Sequence, residues 1–285
     1  ADTIFKDLMD MQEKDPIKHQ QYLDPILMGG VNPEHAFSID SLRYVLLHYY
    51  VETKNRLGYE RYIKEMYPSV FDLEFDYYAQ MHALLNLSED GFDANYSNMD
   101  FYLWLKALCT FHLDHIDKEL WNEMASLWEK PDKISYLFGV DYYALCTKYM
   151  VKLAMRFGDT QRAERYKREI AAAITEVVCE IDDAPSDYKW PLFEYYIMAQ
   201  INETLGYLDL AKEEYHKAYN LAMFSKACWQ QYESDNGGIW KSDEDSNFGG
   251  PELKLKDWIK DNTVTCDTID EYKENLSKYM TYVFD

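Results

Sequence analysis

Residues 192–218 read LFEYYIMAQINETLGYLDLAKEEYHKA, and the folding of this stretch decides the architecture of the chain. Apolar residues at helical spacing lie on both sides of Leu205-Gly206. The first run holds Met198 and Ala199; the second holds Ala211, Tyr215 and Ala218. Gly206 falls where a helix end needs a left-handed residue. Ala211 and Ala218 are small enough to let two helices approach closely, and Tyr215 fills the space between them. The stretch therefore predicts a helical hairpin.

Upstream, residues 142–171 repeat the layout with Gly158, Asp159 and Ala163, then place Lys167 and Ile170 where an aromatic and a small residue are expected. Helices are predicted at 2–14, 17–28 and 38–55; Gly58 is read as a break before a shorter helix to Pro68. Further helices are predicted at 70–87, 99–113, 118–129, 140–157, 160–181, 191–205, 208–232, 253–260 and 268–284. No run shows strand alternation. Eleven glycines and eight prolines are too few for an all-β chain or a disordered one. The expected fold is all-α, a single domain over 1–285 built from stacked antiparallel helical hairpins. It comprises N-terminal helices (1–30), hairpins (38–232), a long polar loop (233–251) and C-terminal helices (252–285).

An acidic residue followed by two aromatics recurs as Asp76-Tyr77-Tyr78, Asp100-Phe101-Tyr102, Asp141-Tyr142-Tyr143 and Glu194-Tyr195-Tyr196, with a looser copy at His48-Tyr49-Tyr50. The acidic member suits a first helical turn, where backbone N–H groups and the helix dipole favour negative charge. The paired rings are expected to face two different neighbours, as stacked hairpins require.

The spacing of Gly206, Ala211, Tyr215 and Ala218 resembles the tetratricopeptide repeat over residues 192–223. The chain departs from that pattern at Asn202, where the family usually has an aromatic, and at Met223, where it often has proline. The resemblance implies antiparallel helix pairs stacked in a right-handed superhelix, with a concave face that holds a protein or peptide. Residues 142–181 and 40–68 are also similar to helix pairs of (α/α) toroid enzymes acting on glycans. That likeness implies six helix pairs around an aromatic-lined pocket with two carboxylates.

The formal net charge of −22 sets nucleic acids and anionic membranes aside as partners and favours a basic protein. No apolar run approaches the roughly 20 residues of a membrane span. Residues 1–15 are charged throughout, unlike a signal peptide. Cys109, Cys146, Cys179, Cys228 and Cys266 are odd in number and show no zinc-ligand spacing, which points to a reducing, cytoplasmic setting.

Five groupings carry possible chemistry. His112 and His115 would share a helix face as metal ligands; the alternative is a dipole role, with Asp117 capping the next helix. Glu34, His35, Asp40 and His48 form an acid–base grouping by sequence proximity alone. Asp243, Asp245, Asn247 and Gly249 alternate like a calcium loop, but the glycine falls seventh and Lys254 stands where an EF-hand needs glutamate. Trp240 and Phe248, set between glycines, either pin their loop or serve a partner. Tyr142, Tyr143, Tyr195 and Tyr196 either form helix seams or make an aromatic ladder able to grip a peptide. No P-loop, dinucleotide fingerprint, nucleophile elbow or HExxH is present. The expectation is a non-catalytic interaction module without cofactor or metal. It would bind a basic protein through Tyr142, Tyr143, Tyr195, Tyr196, Trp240 and Phe248. An immunity protein masking a basic toxin is one form of this; the alternative is a toroid acting on glycans.

Overall fold

A computed structural model describes residues 2–16, 19, 39–68, 76–87, 94–130, 134–179, 189–235 and 255–279. Every regular element among them is helical: α1 (Asp2–Lys14), α2 (Ile39–Glu52), α3 (Arg56–Met66), α4 (Tyr77–Leu87), α5 (Ala94–Phe111), a 3-10 turn (Leu113–His115), α6 (Lys118–Trp128), α7 (Ile134–Arg156), α8 (Thr160–Cys179), α9 (Lys189–Thr204), α10 (Leu208–Asp235), α11 (Leu255–Asn262) and α12 (Ile269–Tyr279). The all-α reading holds. The expected second helix at 17–28 and most of the loop at 233–251 lie outside the described residues. None of the described helices is long and apolar enough to cross a membrane.

The chain divides into two compact units, 1–159 and 160–285. In the first, α5 is the central element, packed on α2, α4 and α7. Its residues 101–108 are buried without interruption, as expected of a helix apolar on all sides. Phe101 stacks on Trp128 at 5.9 Å, and Trp128 stacks on Tyr143 at 5.5 Å, so three rings tie α5, α6 and α7 together. Tyr102 turns the other way, toward His48 of α2 and Tyr149 of α7. The two rings of this doublet thus face different neighbours. The N-terminal helix is held by Asp7, which accepts hydrogen bonds from Arg61 and Tyr62 of α3.

In the second unit α9 and α10 form the most extensive helix pair, α8 packs on α9, and α11 and α12 pack on α10. Ala199, Ala211, Tyr215 and Ala218 are fully buried in one cluster with Tyr272 and Leu276 of α12. The small residues read from the sequence therefore do face a neighbouring helix.

Three helices end with the same hydrogen-bond pattern. After α9, Gly206 N–H donates to Glu203 O and Tyr207 N–H to Asn202 O; after α7, Gly158 and Asp159 donate to Met155 and Ala154. Both glycines have positive φ, +84° and +69°. This is the Schellman closure, which satisfies the last carbonyls of a helix. After α2 the same role falls to Lys54, at φ 57°, with Asn55 N–H donating to Tyr50 O.

Two sequence-based assignments need correction. Gly58 does not break a helix: the break is at Lys54, and Gly58 lies inside α3, donating its N–H to the capping Asn55 side chain. And of the four acidic–aromatic triplets, only Asp76 caps a helix, accepting the Ala79 N–H. Asp100, Asp141 and Glu194 fall well inside α5, α7 and α9, which begin upstream. Burial overrides the dipole argument: Asp100 and Glu194 are enclosed, and Asp100 takes the Tyr67 hydroxyl.

Candidate functional site

The turn between α9 and α10 leaves three large apolar side chains in water. Tyr207, Leu208 and Leu210 are 43%, 56% and 46% exposed. Carboxylates stand beside them. Asp209 lies in the same helical turn, and Glu164 of α8 accepts the Tyr207 hydroxyl at 2.5 Å. Lys167 lies 4.4 Å over the Tyr207 ring, which fixes one ring face and leaves the edge to solvent. Beneath, Glu203 accepts the Tyr215 hydroxyl at 2.9 Å and Lys273 of α12 at 2.6 Å, so it ties the hairpin to α12 behind its apolar tip.

The aromatic residues expected to bind a partner are placed as follows. Tyr196 is buried and meets the Tyr215 ring edge-on at 5.7 Å, making it the seam member of its doublet. Tyr195 is half-buried, with Lys217 5.6 Å from its ring centroid. In the first unit, Tyr143 is half-buried against Trp128. The Tyr142 side chain, Trp240 and Phe248 lie outside the described residues.

No protein-family model, curated protein or solved structure matches this chain.

The histidine groupings resolve differently. Asp117 accepts the Leu120 N–H at 2.8 Å and caps α6. His112 closes α5 and its ring is 6.2 Å from that of His115. Among the described residues no three metal-ligating side chains come together. His48 is enclosed between α2 and α5. Burial, then the Lys106 cation, pushes its imidazole down to about 3 against a partial offset from Glu52. Glu52 and Lys106, themselves nearly enclosed, form an ion pair at 3.5 Å. That arrangement is a core polar cluster rather than an open site. Glu34, His35 and the Asp40 side chain lie outside the described residues. Cys109 and Cys146 are free thiols, the first pushed up to about 12 and the second well up, both chiefly by burial. They are inert packing groups rather than nucleophiles.

Sequence reasoning missed Tyr207, Leu208 and Leu210. On a helical wheel Leu208 falls on the Ala211–Tyr215 stripe, so periodicity predicts burial; the first turn of α10 instead leaves it largely in solvent.

Proposed function

We propose that the protein is a non-catalytic interaction module that binds a basic protein partner. One observation carries the reading: an exposed apolar tip formed by Tyr207, Leu208 and Leu210 stands beside Glu164 and Asp209 on a chain of net charge −22. An apolar anchor supplies desolvation energy, and surrounding carboxylates steer a positively charged surface onto it. The Tyr215–Glu203–Lys273 contacts beneath tie the hairpin to α12, which lowers the ordering cost of binding at its tip. In this reading α9–α10 is one tetratricopeptide-like pair within a stack of hairpins, and Tyr195 adds a half-exposed ring. An inhibitor that masks a basic toxin, acting in the cytoplasm, is the concrete form that best uses such a charge.

The test is affinity capture at low and high salt, followed by binding of the purified, identified partner to the Leu208→Ser/Leu210→Ser double variant. A basic partner whose association slows steeply with salt, and whose affinity drops on the order of tenfold or more in the variant, is expected. Capture of neutral or acidic proteins only, or binding indifferent to both changes, overturns the proposal.

A further inference from the structure

In the second unit, α12 and the segment leading into it meet α10 around one imidazole. His216 Nδ1 lies 2.9 Å from the Tyr272 hydroxyl, and the two rings meet edge-on at 5.9 Å. Tyr272 is 1% exposed and belongs to the buried cluster that joins α9, α10 and α12. One turn along α10, the Asn220 amide nitrogen is 3.3 Å from His216 Nδ1 and 3.4 Å from Nε2. A group this close to both ring nitrogens at once clears the ring carbons only above the face of the ring.

Backbone groups fix the direction of these contacts. Asn220 Oδ1 accepts the Val264 N–H at 2.9 Å, while Nδ2 donates to Val264 O at 3.2 Å and to His216 O at 2.9 Å. Turning the amide over would set its oxygen against two carbonyls and its nitrogen against an N–H. Its NH2 group, the positive end of the amide dipole, is therefore held over the imidazole. Tyr272 is constrained in the same sense. Burial pushes its phenol up, and a hydrogen bond from the Cys266 backbone pulls it back. A backbone N–H only donates, so the Tyr272 oxygen accepts there and its own hydrogen is left for His216 Nδ1. The imidazole thus accepts at Nδ1 and carries its hydrogen on Nε2.

Protonation reverses that role, because both nitrogens of an imidazolium donate. Nδ1–H would face an enclosed hydroxyl whose hydrogen has lost its acceptor, and a cationic ring would lie under the Asn220 NH2 group. Burial lowers His216 from its ordinary 6.5; Glu213 of its own helix opposes that and Lys217 adds to it. Across the junction the imidazole meets Tyr272, with the Cys266 thiol near that hydroxyl.

We propose that His216 is a pH-operated latch for α12: neutral, it holds Tyr272 and with it α12 on α10; protonated, it releases both. Release uncovers Ala211, Ala218 and Ala222 of α10, which share a buried cluster with Tyr272 and Leu276, and withdraws Lys273 from Glu203. The open form takes up a proton near pH 6.5, and the closed form resists it. Opening therefore rises as pH falls below 6.5 and is constant above it. The latch stands whether or not the α9–α10 turn binds a basic partner.

Amide hydrogen exchange of the full chain, followed by NMR at about pH 7 and about pH 5.5 and corrected for the intrinsic pH dependence of exchange, reads the opening. Protection of α12 amides is expected to fall roughly threefold or more relative to those of α9. His216→Gln, whose side-chain oxygen accepts the Tyr272 hydroxyl at either pH, is expected to remove that difference, while His48 and His112 titrate in both proteins. The His216 Cε1–H resonance is expected to titrate with a midpoint below 6.5. The proposal is overturned if α12 and α9 lose protection equally, if the pH effect on α12 persists in His216→Gln, or if the His216 resonance titrates at 6.5 or above. Should His216→Gln lose its helical circular dichroism at pH 7, the exchange comparison and the His216 titration of the parent decide by the same criteria.

Discussion

The ring of Tyr50 lies directly over Gly58, so close that a methyl group built on the glycine would sit 2.7 Å from ring carbons. Tyr50 is in turn stacked on Tyr62 at 6.0 Å, with the two planes 7° apart, and cannot retreat without disturbing that contact. Gly58→Ala in a helix interior ordinarily stabilises by about 1 kcal/mol. Here the sign reverses, because the overlap must be relieved by moving α3 away from α2. The expected cost is about 1–3 kcal/mol, read as a lower denaturation midpoint with an unchanged denaturant slope.

The three Schellman turns give a second, two-sided expectation. At Gly206 a Cβ would meet nothing within 4 Å, so Gly206→Ala is penalised by the positive φ alone, by about 1 kcal/mol. Lys54 already bears that penalty at φ 57°. Lys54→Gly is therefore expected to stabilise the protein by about 0.5–1 kcal/mol, less the entropy that glycine adds to the unfolded chain. Thermal melting of the two single variants checks both signs.

Acid sensitivity follows from His48 and His112. Burial lowers both, to about 3 and about 4, from an unfolded value of 6.5. The charges facing His48 are Lys106 and Glu52; those facing His112 are Arg56, Glu60 and His115. Below pH 6.5 the unfolded chain takes up protons that the folded chain refuses. Stability contributed by the neutral imidazoles is complete above 6.5 and is lost progressively as pH falls toward 4. Each histidine adds a slope of roughly 1.4 kcal/mol per pH unit in that window. Urea titrations of the parent and of His48→Gln at pH 7, 6 and 5 measure it, and the variant's stability should fall less steeply over this range.

Asn220 anchors the segment that leads into α12. Its side chain accepts the Val264 N–H at 2.9 Å and donates to Val264 O at 3.2 Å, imitating a paired backbone. Asn220→Ala removes both bonds at a cost of about 1–2 kcal/mol. Amides of α12 should exchange faster with solvent deuterium while those of α9 keep their protection, because α9 packs on α10 independently of this anchor. Uniform loss of protection across the second unit would contradict that division.

How much was legible in advance depends on how local the code is. Ala211, Tyr215 and Ala218 declared their buried face because helical spacing and side-chain size act within a few turns. Gly158 and Gly206 declared their turns because only glycine adopts positive φ cheaply. The triplets at Asp100 and Glu194 misled for the opposite reason. A carboxylate beside aromatics looks like a helix start, and only the neighbouring helices show that these two are enclosed.

A pocket between α3, α4 and α5 was invisible in the sequence. Tyr59, Tyr77, Trp104 and His112 belong to no shared motif; they meet because α3, α4 and α5 are folded together.

The amino-acid order by itself determined that the described residues fold as helices, where the tight hairpins turn, and which small residues let helices touch. These are matters of backbone preference and periodic burial, acting over about ten residues. Tertiary structure alone decided that Gly58 makes room for Tyr50, that His48 is a neutral core group, and that Leu208 faces water. Each of those depends on which distant side chain fills a given volume, and no local rule carries that information.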